Sequence, residues 1–330
     1  SYTNNRNVGL ATVTVTGIGA YSGNVTRTFA ITHRQLTDDM VALSETSFTY
    51  NAIAQRPEVT VTDVVDGVAI ITDNDYTVVN NGSINVSPSI EVKVIGRGNY
   101  AGTVTKTYAI NPLSIEGAAV TLYQRQSDEY NGQEQKPGIR EIIVGTGSNS
   151  VVVPTTGYRV DSYVNNINVG TATVTLSGQG NFTGSTQTTF NITRRPITAG
   201  MIALSSEMFT YNGSVQKPTV TVSDMVGETD IIRTADYTVT NDGGTEVGDY
   251  SVTVSATATG NYSGSAQRTY SIVTRGTASF DIALAQSSYV YDGTAKEPAV
   301  TITDGSTTLS SANFTVGYSE NVNLGTATVT

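Results

Sequence analysis

One histidine, no cysteine and scattered carboxylates are all that this chain offers to catalysis. His33 stands alone, so no Ser/His/Asp or Cys/His set can be assembled. The lack of Cys also excludes disulfides, thiolate metal sites and thiol redox chemistry. Calcium is the stronger metal candidate, because it takes carboxylate and carbonyl oxygens. Asp38 with Asp39, Asp73 with Asp75, and Asp224 with Glu228 and Asp230 are near enough in sequence to serve. None of these groups recurs in every copy of the repeat described below, so they read as solvated surface carboxylates. Lys136 and Lys217 recur, with Lys296 one place earlier, but Arg56 stands there in a further copy and cannot form a Lys–Asn isopeptide crosslink. The sequons at Asn24, Asn191 and Asn261 matter only in a glycosylating host. Tyr123 and Tyr163 have no counterpart at the repeat's aromatic anchors and are candidates for stacking on a sugar. No catalytic, cofactor-binding or metal residue is assigned, and no cofactor is implied.

The elements that would position any such group repeat. Tyr50-Asn51-Ala52, Tyr130-Asn131-Gly132, Tyr211-Asn212-Gly213 and Tyr291-Asp292-Gly293 stand 80, 81 and 80 residues apart. Gly19-Ala20-Tyr21, Gly98-Asn99-Tyr100, Gly180-Asn181-Phe182 and Gly260-Asn261-Tyr262 keep the same beat, as do Phe29, Tyr108, Phe190 and Tyr270. Three anchors on one period define an array of one small module. The third copy is read as about seven short strands, among them Met201–Leu204, Phe209–Tyr211, Thr219–Val222, Asp236–Thr240, Tyr250–Ser255 and Arg268–Ile272. That number and spacing predict an Ig-like antiparallel β-sandwich.

Alternation in the long strand puts Val13 with Val15, Val92 with Val94, Val174 with Leu176, and Val252 with Val254 on the inner face. The recurring Tyr50, Tyr76, Tyr100 and Tyr108 should fill or cap the sandwich. Gly9, Gly170, Gly248 and Gly325 precede that strand, where a positive φ is expected, and Ser87 in their place predicts a local distortion.

The modules fall at 36–113, 114–196 and 197–275, with the closing part of one at 1–35 and the opening part of another at 276–330. Their junctions are short and carry no Gly/Ser tether, which predicts a rod-like array. The broken ends are expected to be those of a window cut from a longer array. The alternative is that one copy's closing strands complete another copy's opening piece, head to tail, in a filament. The net charge of −10 argues against a nucleic-acid partner. No apolar run approaches a membrane span. The Thr-, Ser- and Asn-rich composition leans toward a bacterial exported protein.

The Tyr-Asp-Gly at 291–293, the Gln-Lys-Pro at 135–137 and 216–218, Asp75-Tyr76 and Asp236-Tyr237, and Gly-Asn-Tyr-Ser-Gly at 260–264 resemble the bacterial MBG/YDG-type modules. These are Ig-like sandwiches found in tandem in large surface and adhesin-like proteins. The resemblance implies a non-enzymatic stalk or fibre at the cell surface or outside the cell. Its partners would be neighbouring modules of the chain and, in a fibre, other copies. An adhesin region gripping glycan or protein is the second reading, and an accessory region of an enzyme the third.

Overall fold

The computed structural model describes residues 1–330 and is all-β, with no helix longer than a three-residue 3-10 turn. No helix is long and apolar enough to cross a membrane. The chain divides into two compact units, Ser1–Arg195 and Pro196–Thr330.

Within the first unit, the repeat at 36–113 has a four-stranded sheet. Its order is Tyr76–Val79, Ser87–Gly96, Thr103–Asn111, Ser47–Thr49. A second, two-stranded sheet pairs Val41–Leu43 with Val59–Val61. Val94 and Val104 of the larger sheet pack with Val41 and Val61 of the smaller, and Leu36, Met40 and Tyr100 close the layer. This is a β-sandwich, and its cause is the period-2 pattern: Val92 and Val94 are fully buried while Lys93 between them is exposed. Each such aliphatic side chain contributes about 1.5–3 kcal/mol by burial.

The repeat at 114–196 is built alike. Tyr158–Val164, Gly170–Gly178 and Ser185–Ile192 form one sheet, and Ala119–Leu122, Ile139–Val144 and Val151–Val152 the other. In the second unit, Met208–Thr210, Ser265–Val273, Gly248–Ala256 and Tyr237–Thr240 make the larger sheet of the third repeat. That repeat has nine strands rather than seven. Beyond the six strands named from the sequence, it has a tight hairpin, Met225–Val226 with Thr229–Asp230, and the two-residue Tyr262–Ser263 strand. Both are too short to show a period in the sequence.

The inner-face assignment holds in three copies and changes in the first. Val92, Val94, Val174, Leu176, Val252 and Val254 are fully buried, whereas Val15 is 64% exposed. There Tyr2–Thr3, Gly9–Thr16 and Asn24–Ile31 form one three-stranded antiparallel sheet. Gly9, Gly170, Gly248 and Gly325 do have positive φ, but as the opening residues of extended strands or their approach rather than in tight turns. At Ser87 the ladder shifts register before Ile90, which is the expected distortion. The Tyr-Asn-Gly turn requires the left-handed region: Gly132, Gly213 and Gly293 have φ of 71°, 72° and 79°. Ala52 takes the same turn at 64°, at a cost of about 1 kcal/mol.

Tyr163 is not an unmatched aromatic. It pairs with Val174 as Tyr2 pairs with Val13 and Tyr318 with Val329. Its hydroxyl donates to the Pro137 carbonyl at 2.8 Å, and Tyr318 donates to Pro298 at 2.6 Å. In the two intervening repeats an amide does this work: Asn80 donates to Pro57 and Asn241 to Pro218, both at 2.8 Å. The copies therefore alternate between a phenol and an amide at one anchoring point.

Candidate functional site

No group of three or more His, Cys, Asp or Glu side chains that could hold a metal ion gathers at one place. His33 is exposed in its junction. Asp38 lies beside Lys106, at 2.6 Å. Asp75 and Asp224, expected to be solvated, are buried and hydrogen-bonded. The polar chemistry of this chain is concentrated where one repeat meets the next.

At the first junction, Arg34–Gln35 adds as a short parallel strand to Tyr100–Ala101. That pairing brings three groups together. The Arg34 guanidinium forks onto the Asp63 carboxylate through Nε and Nη2, the latter at 2.9 Å from Oδ1. The Tyr100 hydroxyl donates to Asp63 Oδ2 at 2.8 Å. Asp63 is buried, so its charge is tolerable only because both partners are present.

A second carboxylate, Asp75, sits behind the junction. It accepts from the Thr72 amide and hydroxyl, at 3.0 and 2.7 Å, and from the Asn99 amide at 3.2 Å. Asn99, so held, reaches the preceding repeat. Its Oδ1 accepts from the Val8 amide at 3.0 Å, and its Nδ2 donates to Asn7 Oδ1 at 3.3 Å. The second junction repeats the clasp: Asn181 Oδ1 accepts from Val86 at 2.8 Å and its Nδ2 donates to Asn85 at 3.0 Å. One side-chain amide thus serves a donor and an acceptor of the neighbouring module at once.

The rest of the second junction is rebuilt in apolar material. Leu113–Ser114 pairs with Phe182–Thr183 as Arg34–Gln35 pairs with Tyr100–Ala101. Leu113 stands for Arg34 and Phe182 for Tyr100. Val144 follows buried Ile142 by two residues, as Asp63 follows buried Val61. Gly157 precedes Tyr158 where Asp75 precedes Tyr76. A Cβ on Gly157 would lie 2.8 Å from the Phe182 ring, so the ring occupies the space a side chain would need. Phe182 also meets Tyr50 of the preceding repeat edge-on, with centroids 5.3 Å apart. Consequently Tyr50, Val92, Tyr108 and Ile110 form one continuous buried cluster with Ile115, Ile142, Leu176 and Phe182.

The triad's chemistry recurs further along. Tyr262 donates to Asp224 at 2.9 Å, and Arg275 contacts Asp304 at 2.7 Å. These are the positions of Tyr100 with Asp63, and of Arg34 with Asp63. Asp236, in the place of Asp75, accepts from the Arg233 and Asn261 amides, each at 3.0 Å. Sequence reasoning named Asp75, Asp224, Asp236, Tyr100 and Tyr262 without their pairings, and missed Arg34, Asp63, Arg275 and Asp304. The available signal was that Arg34, Asp63 and Tyr100 change together to Leu113, Val144 and Phe182.

The charges carry a pH dependence. The Arg34 guanidinium holds the Asp63 carboxyl below its ordinary value, against burial and with help from Tyr100. Burial pushes Asp75 up, but the bonds from Thr72 and Asn99 outweigh it and leave it low. A lowered folded pKa contributes stability that is complete above the unfolded value, roughly pH 4, and is lost as pH falls through the folded value. Tyr100 is pushed up to about 12 by burial and by its bond to Asp63, so its contribution is lost as pH rises through that value. Urea midpoints should therefore be flat from pH 5 to 9 and fall on acidification below about pH 4. An Asp63→Asn variant should show a shallower acid limb, and an unchanged limb would contradict the assignment.

The family model described as MBG domain matches residues 198–284. That stretch is similar to an MBG-type Ig-like module. The MBG-type repeat therefore includes the Asp224–Tyr262 pair and buried Asp236. Among solved structures, the chain is similar to the extracellular cadherin domains 1–4 of protocadherin gamma B7. The two are 12% identical over 70% of this chain and 69% of that one, with a TM-score of 0.16, too low to carry an argument. No curated protein matches the chain.

Proposed function

We propose that this chain is a segment of a bacterial cell-surface or extracellular stalk or fibre that gives reach and stiffness by repetition. Its working parts are the module boundaries within each unit, near 35/36, 113/114 and 275/276. The observation that carries this reading is the junction itself. A buried cluster runs from Tyr50 and Tyr108 into Phe182 and Leu176, and an asparagine clasps the preceding repeat at each junction of the first unit. Freely jointed modules need neither feature. The MBG-type match at 198–284 is consistent with a structural role.

Small-angle scattering on the 330-residue chain tests the reading. Compact modules of roughly 35–45 Å in series should give a maximum dimension on the order of 150 Å. A compact particle of 34.7 kDa would overturn it.

A further inference from the structure

In two of the sandwiches the second strand runs parallel to the strand that closes the module. Ser47–Thr49 lies beside the end of Thr103–Asn111, with Ser47 opposite Ala109 and Thr49 opposite Asn111. Met208–Thr210 lies beside Ser265–Val273 in the same way. Flanking bonds extend each patch: Ala109 donates to Thr46 and Tyr50 to Asn111, at 3.0 and 2.9 Å, and Ser271 donates to Glu207 and Tyr211 to Val273 at 3.0 and 2.9 Å. When a chain is pulled from its two ends, the short antiparallel strand that comes first, Val41–Leu43 or Ile202–Leu204, must come away before the load reaches the parallel pair. The two parallel strands then slide past each other, so every bond in the patch is loaded together. An antiparallel hairpin pulled at its open end gives way one bond at a time.

The repeat at 114–196 departs from this plan. Its parallel patch is the single bridge Glu129–Thr193 with bonds from Tyr130 to Thr193 and from Thr193 to Asp128, at 2.9 and 2.8 Å. The aromatic of the other copies is also gone. Phe48 packs edge-on against Tyr108 and Phe209 against Tyr270, at 5.6 and 5.8 Å, but Asp128 stands in that place here. Arg125 takes over. Its guanidinium lies 4.6 Å over the Phe190 ring, ion-pairs with Asp128 at 2.8 Å, and donates to the Asn191 carbonyl on the closing strand and to Gln135. The Arg125 side chain is only 14% exposed.

We propose that the parallel patches are shear clamps that make the repeats resist tension, and that the repeat at 114–196 is the designated first to yield, held by the Arg125 staple in place of a full strand. This rests on the stalk reading, since only a tethering protein is pulled from its ends. The chain has no native cysteine, so engineered pairs can define the pulling direction. Single-molecule extension of the 330-residue chain from its ends should give successive peaks, each releasing on the order of 200 Å of chain. Arg125→Ala should lower the smallest peak force and leave the others unchanged, and Arg125→Lys should restore it only in part. Pulling instead across Arg159 and Ser177, an antiparallel pair of the same repeat apart from Arg125's partners, should be insensitive to Arg125→Ala. Ile142→Ala, a core change away from the clamp, separates general weakening from clamp loss by lowering the force in both directions. An Arg125→Ala chain with unchanged peaks, or one weakened equally in both directions, overturns the proposal. Scattering on the unpulled chain tests the stalk reading separately.

Discussion

Replacing Phe182 with alanine should cost about 3–5 kcal/mol, the largest single loss in the chain. The ring is 4% exposed, meets Tyr50 edge-on and fills the space beside Gly157. Truncation removes its transfer free energy and leaves a cavity between two repeats rather than inside one. The walls of that cavity belong to different sandwiches and can relax only by moving the junction. Two readouts should therefore change together. The urea midpoint of the first unit should fall, and proteolysis near Asn111–Leu113 should rise under native conditions. A destabilised chain whose junction stays resistant would mean that the clusters on either side are independent.

Removing the Asp63 carboxylate should be the next largest effect, about 2–3 kcal/mol for Asp63→Ala. Most of this comes from the Tyr100 hydroxyl, left buried without its acceptor. The Arg34 side chain is 49% exposed and regains water, which keeps the loss below that of a fully buried pair. The second junction shows how to avoid the loss. The triple change Arg34→Leu, Asp63→Val and Tyr100→Phe copies Leu113, Val144 and Phe182 and should return to within about 1 kcal/mol of the parent. The reverse single change, Phe182→Tyr, introduces a buried hydroxyl without a carboxylate and should cost about 1–3 kcal/mol. Equal stabilities for Asp63→Ala and the triple variant, measured by urea titration, would show that the three residues do not act as a unit.

The sandwich was legible because its cause is periodic. Val92 and Val94, Val174 and Leu176, and Val252 and Val254 alternate with polar residues, and each pair is buried. The anchor Tyr108 was legible for the same reason, being large, apolar and repeated. Tyr163 was misread because its partner in the next repeat is not a tyrosine but Asn80 or Asn241, chemically unlike yet donating to the same proline carbonyl. The junction groups were illegible one at a time. Asp63 and Asp75 look like surface acids until the short strand at Arg34–Gln35 and the turn at Asn99 fold over them. The junction contacts span up to 96 residues of sequence, as between Asn85 and Asn181, and no local period marks them.

The alternation between phenol and amide also bears on how such an array reaches its native state. Tandem copies of one fold risk exchanging strands with their neighbours while they fold, and near-identical neighbours risk it most. Here the strand ending at Asn80 brings a short amide to Pro57, whereas the strand carrying Tyr163 brings a long phenol to Pro137. Either strand placed in the adjacent sandwich would meet a carbonyl at the wrong reach. The copy that each strand does match lies two repeats away, with a folded sandwich between them.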